Sequence, residues 1–140
     1  MKARKRIAKA PAGSREEPRG ELAIRTLAMP ADTNPDGDIF GGWLMAQMDI
    51  AGGITASARA KGRVATVAVT GFTFHRPVLM GDVVCCYADI QRVGTTSITI
   101  GVEAWVIRRS ASRNRFKVTK GVFTFVAIDD KGRKRPVPPL

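Results

Sequence analysis

The sequence predicts an α+β fold: one long helix lying against a twisted antiparallel sheet of about five strands. Three observations carry this. Residues 40–60 place apolar side chains close to helical spacing. From residue 63 onward the period drops to two, which is the spacing of a strand. Between those later strands the chain shows turn residues and no second helical stretch.

Taken in order, residues 21–29 (ELAIRTLAM) alternate loosely, Leu22 and Ile24 against Glu21 and Arg25, and read as a first strand. Residues 30–38 (PADTNPDGD) are a loop by their Pro, Asp, Asn and Gly content. The helix follows, with Leu44, Met48, Ala51, Ile54 and Ala58 as its apolar stripe and Lys61-Gly62 as its stop. Gly52 and Gly53 lie in its interior, each costing about 1 kcal/mol relative to Ala. Such a helix is expected to be buried on more than one side, with small residues where another backbone comes close. Residues 63–70 (RVATVAVT) form the second strand, with Gly71 read as a bulge before Phe72 and Phe74 resume it. Gly81-Asp82 turns the chain into residues 83–92, and Val93–Thr96 is a hairpin turn into residues 97–108. There Ile98, Ile100, Val102, Ala104 and Val106 share one face. After a loop at 110–115, residues 116–128 form the last strand. With β-branched residues on one side and Trp105, Phe123 or Phe125 on the other, one helix cannot cover the whole sheet, so an obligate oligomer is expected.

The chain has 140 residues, one domain's worth, with 44% hydrophobic and 25% charged residues, which is globular composition. Its net charge of +11 belongs to the ends. Residues 1–20 hold seven bases and two acids, and residues 131–140 hold four bases and no acid. The reading is a disordered basic N-terminal tail (1–20), a folded domain (21–130) and a basic, Pro-rich C-terminal tail (131–140). No stretch is apolar enough for a membrane span, and the N-terminus lacks the apolar core of a secretory signal. Cys85 and Cys86 are adjacent and point to opposite faces of a strand, so they read as packing residues in a reducing, cytoplasmic setting. His75 is the one histidine, which excludes a multi-histidine metal site within a chain.

The residues with chemistry to offer lie where the loop enters the helix. Gly41-Gly42 would open the helix with free N–H groups and nothing bulky before them, a geometry that holds an oxyanion or a polarised carbonyl. Asp49 is an acid in an otherwise apolar helix, and must be partnered, face a cleft or have a perturbed pKa. Both also admit structural roles, the glycines for packing and Asp49 as a hydrogen-bonded acid, with Asp38 as a helix cap.

The ordered set Thr26–Pro30, Asn34-x-x-Gly37-Asp38-Ile39-Phe40-Gly41-Gly42-Trp43, Gln47-Met48-Asp49, Arg63-Val64-x-Thr66-Val67, Thr73-Phe74-x-Arg76-Pro77-Val78, Gly81–Val84, Arg92-Val93-Gly94-x-Thr96-Ser97 and Glu103-x-Trp105-Val106 resembles the YciA-type acyl-CoA thioesterases. The match spans about residues 22–138. The resemblance implies a hotdog fold, a long central helix wrapped by a curved antiparallel sheet. It further implies a homodimer of hotdogs, three of which make a hexamer, and hydrolysis of acyl-CoA to fatty acid and CoA. By position, Asn34 and Asp49 become the catalytic pair, meeting across the dimer interface, and the Gly42 amide faces the thioester oxygen. His75 and Thr95 depart from the expected apolar residue and Arg.

The chemistry suits these residue types with no metal or cofactor. Asp49 can activate water or attack directly, Asn34 can hold the water or the carbonyl, and the helix N-terminus can stabilise the oxyanion. Arg76, Arg92 and the turn Gly94-Thr95-Thr96-Ser97 are candidates for the CoA phosphates, since guanidinium groups and backbone N–H groups suit anions. A plain turn with solvated arginines is the alternative. Two rival functions remain open. One is a non-catalytic hotdog that binds CoA or acyl chains. The other is a nucleic-acid-binding module acting through the tails, against which the folded part is nearly neutral, so no specific nucleic acid is expected.

Overall fold

The computed structural model describes residues 16–109 and 115–140. Residues 1–15 of the expected N-terminal tail and most of the 110–115 loop lie outside the described residues. The elements run β1 (Glu21–Leu27), a single 3-10 turn, α1 (Gly41–Ala60), β2 (Val64–Thr70), β3 (Val83–Val93), β4 (Ser97–Ile107) and β5 (Arg115–Ala127). The strands form one antiparallel sheet in the order β1-β3-β4-β5-β2, so β1 and β2 are its edges.

Helix α1 lies across the inner face. It buries Leu44, Met48, Ala51, Gly52, Ala56 and Ala60. The expected stripe holds as far as Ala51, but Ile54 and Ala58 face outward, and the buried line continues through Ala56 and Ala60. The apolar outer residues Met45, Ile50 and Ile54 are left exposed. Gly52 has a packing reason, though what approaches is a side chain and not a backbone. A Cβ built there would meet the Phe125 ring at 2.9 Å and a Val102 methyl at 3.3 Å. The helix ends as expected at Lys61, which takes the left-handed conformation (φ 55°) while its N–H and that of Gly62 close on Ser57 and Ala58.

The inner face of β4 is the one the sequence indicates: Ile98, Ile100, Val102, Ala104 and Val106 all join the core. Phe123 and Phe125 join it too, so of the three aromatic residues expected on the outer face only Trp105 stays outside the core cluster. It is nevertheless buried, and its Nε1 donates to the buried Glu103 at 2.9 Å. Residues 16–20 run along this outer face. The Arg19 N–H donates to Glu103 at 3.3 Å, and Glu17 and Glu16 pair with Arg115 and Lys117. The other end of the chain is docked as well. Arg135 N donates to Ala127 O, Val137 N to Thr95 O, and Arg59 of the helix to Pro138 O.

Gly71 is not a bulge within a longer strand. Strand β2 stops at Thr70, and Gly71 turns the chain at φ +80°. Phe72 and Phe74 alternate in sequence but lie outside the regular ladder. The Phe72 ring fills the space opened by Gly121, whose Cβ it would meet at 2.9 Å, and sits edge-on to Phe123. The ladder irregularity in β2 falls earlier, at Val67, between Thr66 and Ala68.

Candidate active site

The loop 33–39 is built around the Asn34 side chain. Its Oδ1 accepts the N–H groups of Asp36 (2.9 Å) and Asp38 (3.1 Å), while its backbone N–H donates to Asp38 O at 2.7 Å. Such short-range bonds fix an Asx turn. They also settle which end of the amide is available: the oxygen is engaged by the loop, and the Nδ2 hydrogens are left to donate outward. Asn34 is therefore set up as a donor.

Asp38 does not cap the helix. The capping position is Phe40, which offers no side-chain cap. The N–H groups of Gly41 and Gly42 belong to the first turn and have no intrahelical acceptor. A Cβ on Gly42 would meet nothing within 4 Å, so the helix start faces open space there. At Gly41 the nearest group is the Phe74 ring, 3.6 Å from such a Cβ.

Asp49 is half-buried, two turns along α1 from Gly42. Its Oδ1 accepts a 2.7 Å hydrogen bond from the Thr66 hydroxyl on β2. Of the three situations open to an acid in this helix, it is thus the partnered one. Thr66 stands in the resemblance motif with no role attached to it. The packing of α1 on β2 is what brings its hydroxyl to Asp49. Within one chain Asn34 and Asp49 bond to different neighbours, Asn34 to its own loop and Asp49 to β2.

The expected phosphate contacts separate into two places. Arg92 and Gly94–Ser97 lie at the end of the β3–β4 hairpin, where Val93 pairs with Ile98. The turn is closed by Gly94 N donating to Ser97 O (2.7 Å), and Thr95 and Thr96 offer their carbonyls to Val137 and Ala127. Arg76 lies near the opposite end, its guanidinium 4.3 Å from the centroid of Phe116, which pairs with Val106. At roughly 3.3 Å per residue, the length of β4 puts about 30 Å between the two groups. One chain does not present them as a single site. Beside Arg76, the buried Asp82 carboxylate is gripped by Arg108 through two bonds, 3.0 and 2.9 Å. That pair raises the Arg108 pKa through the hydrogen bond. Cys86 is a buried thiol pushed up to about 12 by loss of solvent and by Cys85, which makes it inert. No group of three or more metal-ligating side chains is found among the described residues. No described helix is long and apolar enough to cross a membrane.

One long helix wrapped by a five-stranded antiparallel sheet is the hotdog architecture of thioesterases. Accordingly, the model of the thioesterase superfamily matches residues 36–109. The chain belongs to that superfamily and, within it, to the YciA-type acyl-CoA thioester hydrolases. It is 59% identical over 124 residues to the acyl-CoA thioester hydrolase YciA of Salmonella typhimurium, covering 86% of this chain and 92% of that one. HI0827, a hexameric broad-specificity acyl-coenzyme A thioesterase, superposes with a TM-score of 0.85 at 52% identity, covering 89% of this chain and 85% of that one. An acyl-CoA hydrolase of Staphylococcus aureus, solved with butyryl-CoA and CoA, superposes at 0.75 with 30% identity, covering 82% and 70%. That hydrolase has also been solved as an Asn-to-Ala and as an Asp-to-Ala variant, at positions fifteen apart. Asn34 and Asp49 are fifteen apart as well.

Proposed function

We propose that this protein hydrolyses acyl-CoA thioesters to free fatty acid and CoA, at a site assembled from two copies of the chain. The observation that carries the reading is Asp49 held by Thr66 on a strand edge that none of the described residues covers. Strand β2 pairs only with β5, and residues 66–70 are all exposed. Val67, Val69, Ile50 and Ile54 add exposed apolar surface around it. An apolar, unpaired edge of this kind invites strand pairing, and a second copy supplies it.

In the composite site one subunit provides Asp49, oriented by the Thr66 hydroxyl. The other provides the Asn34 amide and the Gly42 N–H. The thioester carbonyl sits against Gly42 N–H, where the helix N-terminus stabilises the negative charge that develops on oxygen. Asp49 activates water or attacks the carbonyl carbon itself, and the Asn34 Nδ2 holds the water or the carbonyl. The departing CoA thiolate needs no metal. Its phosphates meet Arg76 and, from another subunit, Arg92 with the 94–97 turn. Three dimers in a hexamer are the assembly that HI0827's hexamer supports. Two free, buried thiols, Cys85 and Cys86, support a reducing cytoplasm. Residues 21–130 carry the chemistry, and the terminal segments serve packing and charge.

The test is release of free thiol from an acyl-CoA series running from acetyl to palmitoyl. Turnover on some members is expected. Binding of CoA without release at any chain length would make the protein a carrier and not an enzyme.

A further inference from the structure

The outer face of the sheet holds a cationic groove that shares Arg76 with the proposed CoA contacts and otherwise uses residues with no part in them. An open cleft of about 440 Å³ is lined by His75, Arg76, Arg115 and Lys117 together with the Trp105 and Phe116 rings, and Glu16 reaches it from the N-terminal segment. That size falls among small-molecule sites. The Arg76 and Arg108 guanidinium groups lie 4.3 and 5.0 Å from the Phe116 centroid, so the aromatic ring fixes where Arg76 sits. Arg108 is already committed to Asp82. Arg115 and Lys117 are paired with Glu17 and Glu16, and Arg76 has no acid partner among the described residues.

Glu16 and Glu17 are the only acids among the first 20 residues, in a stretch with seven bases. A wholly cationic segment would be repelled from this groove, and the two acids are what meets it. Their side chains remain 58% and 65% exposed, so these ion pairs are solvated and weak. A phosphate group, with up to two charges and three acceptor oxygens, makes stronger, charge-assisted bonds to guanidinium groups than one carboxylate does.

We infer that this groove binds a phosphate-bearing small molecule, and that Glu16 and Glu17 are its intramolecular occupants, displaced when the anion arrives. The phosphates can come from the nucleotide head of CoA or from a free nucleotide; the recognising chemistry is the same. Its CoA arm rests on the proposed function, with which it shares Arg76, but it concerns binding alone, so loss of probe binding and loss of thioester turnover are read separately.

The full chain carries its own reporter. Trp105 lines the groove with Arg115 over its ring at 5.7 Å, and the only other tryptophan is Trp43. In a Trp43→Phe background, inorganic pyrophosphate, ADP and 3′,5′-ADP are each titrated at low salt while Trp105 emission is followed. A saturable change is expected. Its Kd should fall roughly three- to tenfold in Glu16→Gln/Glu17→Gln, as two weak competing pairs are removed. It should rise more than about tenfold in Arg115→Gln/Lys117→Gln, checked as folded by circular dichroism. 3′,5′-ADP bound more tightly than ADP assigns the groove to the 3′-phosphate that CoA carries, and ADP bound as tightly or more tightly assigns it to the diphosphate that free nucleotides share. No saturable response to any probe overturns the site, as does a Kd indifferent to the Arg115→Gln/Lys117→Gln pair. A Kd unchanged in the glutamine pair overturns the displacement.

Discussion

Strands β4 and β2 belong to the same sheet and have opposite surroundings. From Ile100 to Val106, β4 is buried on both faces and hydrogen-bonded on both sides, to β3 and β5. The helix covers its inner face, and the segment at residues 16–20 reaches Glu103 on its outer one. Strand β2 has one ladder partner and five consecutive exposed residues. Both are rich in Val, Ala and Thr or Ile, so composition does not explain the difference. The chain closes itself around β4 and stays open beside Asp49, the side on which the proposed site takes a second subunit.

The largest effect is expected on the open side. Asp49→Ala should lower turnover by about 10²–10⁴-fold with little change in the melt, because the residue is half-exposed and makes one side-chain bond. Asn34→Ala should fall in the same range if its amide serves the reacting groups. Each mutant alone is then inactive, and the two together are informative. Co-refolded as a mixture, half the dimers carry one site with neither lesion, and roughly a quarter of wild-type thiol release should return. No recovery despite demonstrated subunit exchange would place both residues in one chain's site and remove the reason for the open edge.

On the closed side the expected damage is to stability. Phe125 is 1% exposed and its ring occupies the space that Gly52 leaves in the helix. Phe125→Ala should cost about 3–5 kcal/mol in denaturant unfolding. A loss under 1 kcal/mol would mean that the helix does not depend on this ring.

The next test is finer and sits at the border of the two regions. Thr66→Val removes the bond to Asp49 while keeping the shape, and should lower kcat by about tenfold with KM nearly unchanged. Thr66→Ser should restore most of it. A value of kcat unaffected by valine would leave Thr66 a structural neighbour only.

The helix and the five strands were legible in the sequence because one face of each is apolar at the right period. The open helix start and the odd acid at Asp49 were legible as exceptions to that pattern. The bond from Thr66 was not: the residue stood in the resemblance motif, but its partner Asp49 is seventeen residues away in the chain. Phe72 and Phe74 were misleading for a related reason. Their alternation mimics a strand, yet one ring fills the gap over Gly121 and the other lies against the helix start. The docking of Arg135 and Val137 was hidden behind a Pro-rich stretch that cannot enter a sheet.

The last prediction, confined to alkaline pH, sharpens the closed side. Cys86 lies on β3, paired with Ala104 of β4, and burial raises its thiol from an ordinary 9.0 to about 12. The folded chain holds that proton while the unfolded chain loses it, so the contribution is full below pH 9 and is lost as pH rises from 9 toward 12. Urea midpoints should drift down across that interval, and Cys86→Ala should flatten the drift. A midpoint constant over the interval in wild type would show the thiol to be solvated.

The step in the β2 ladder at Val67 gives the open edge a particular grammar. Thr66 lies opposite Phe125 and Val69 opposite Phe123, so two residues three apart share the inner face, which a regular strand forbids. Val67 is the extra residue, 58% exposed and absent from the ladder. Deleting it would leave Thr66 and Val69 still facing inward and return the strand to even count. The residue is therefore dispensable to the chain's own interior and belongs to the surface that the proposed dimer would use. A strand joining this edge has to match a one-residue offset, so generic strand addition is disfavoured, while an identical copy brings the same offset with it.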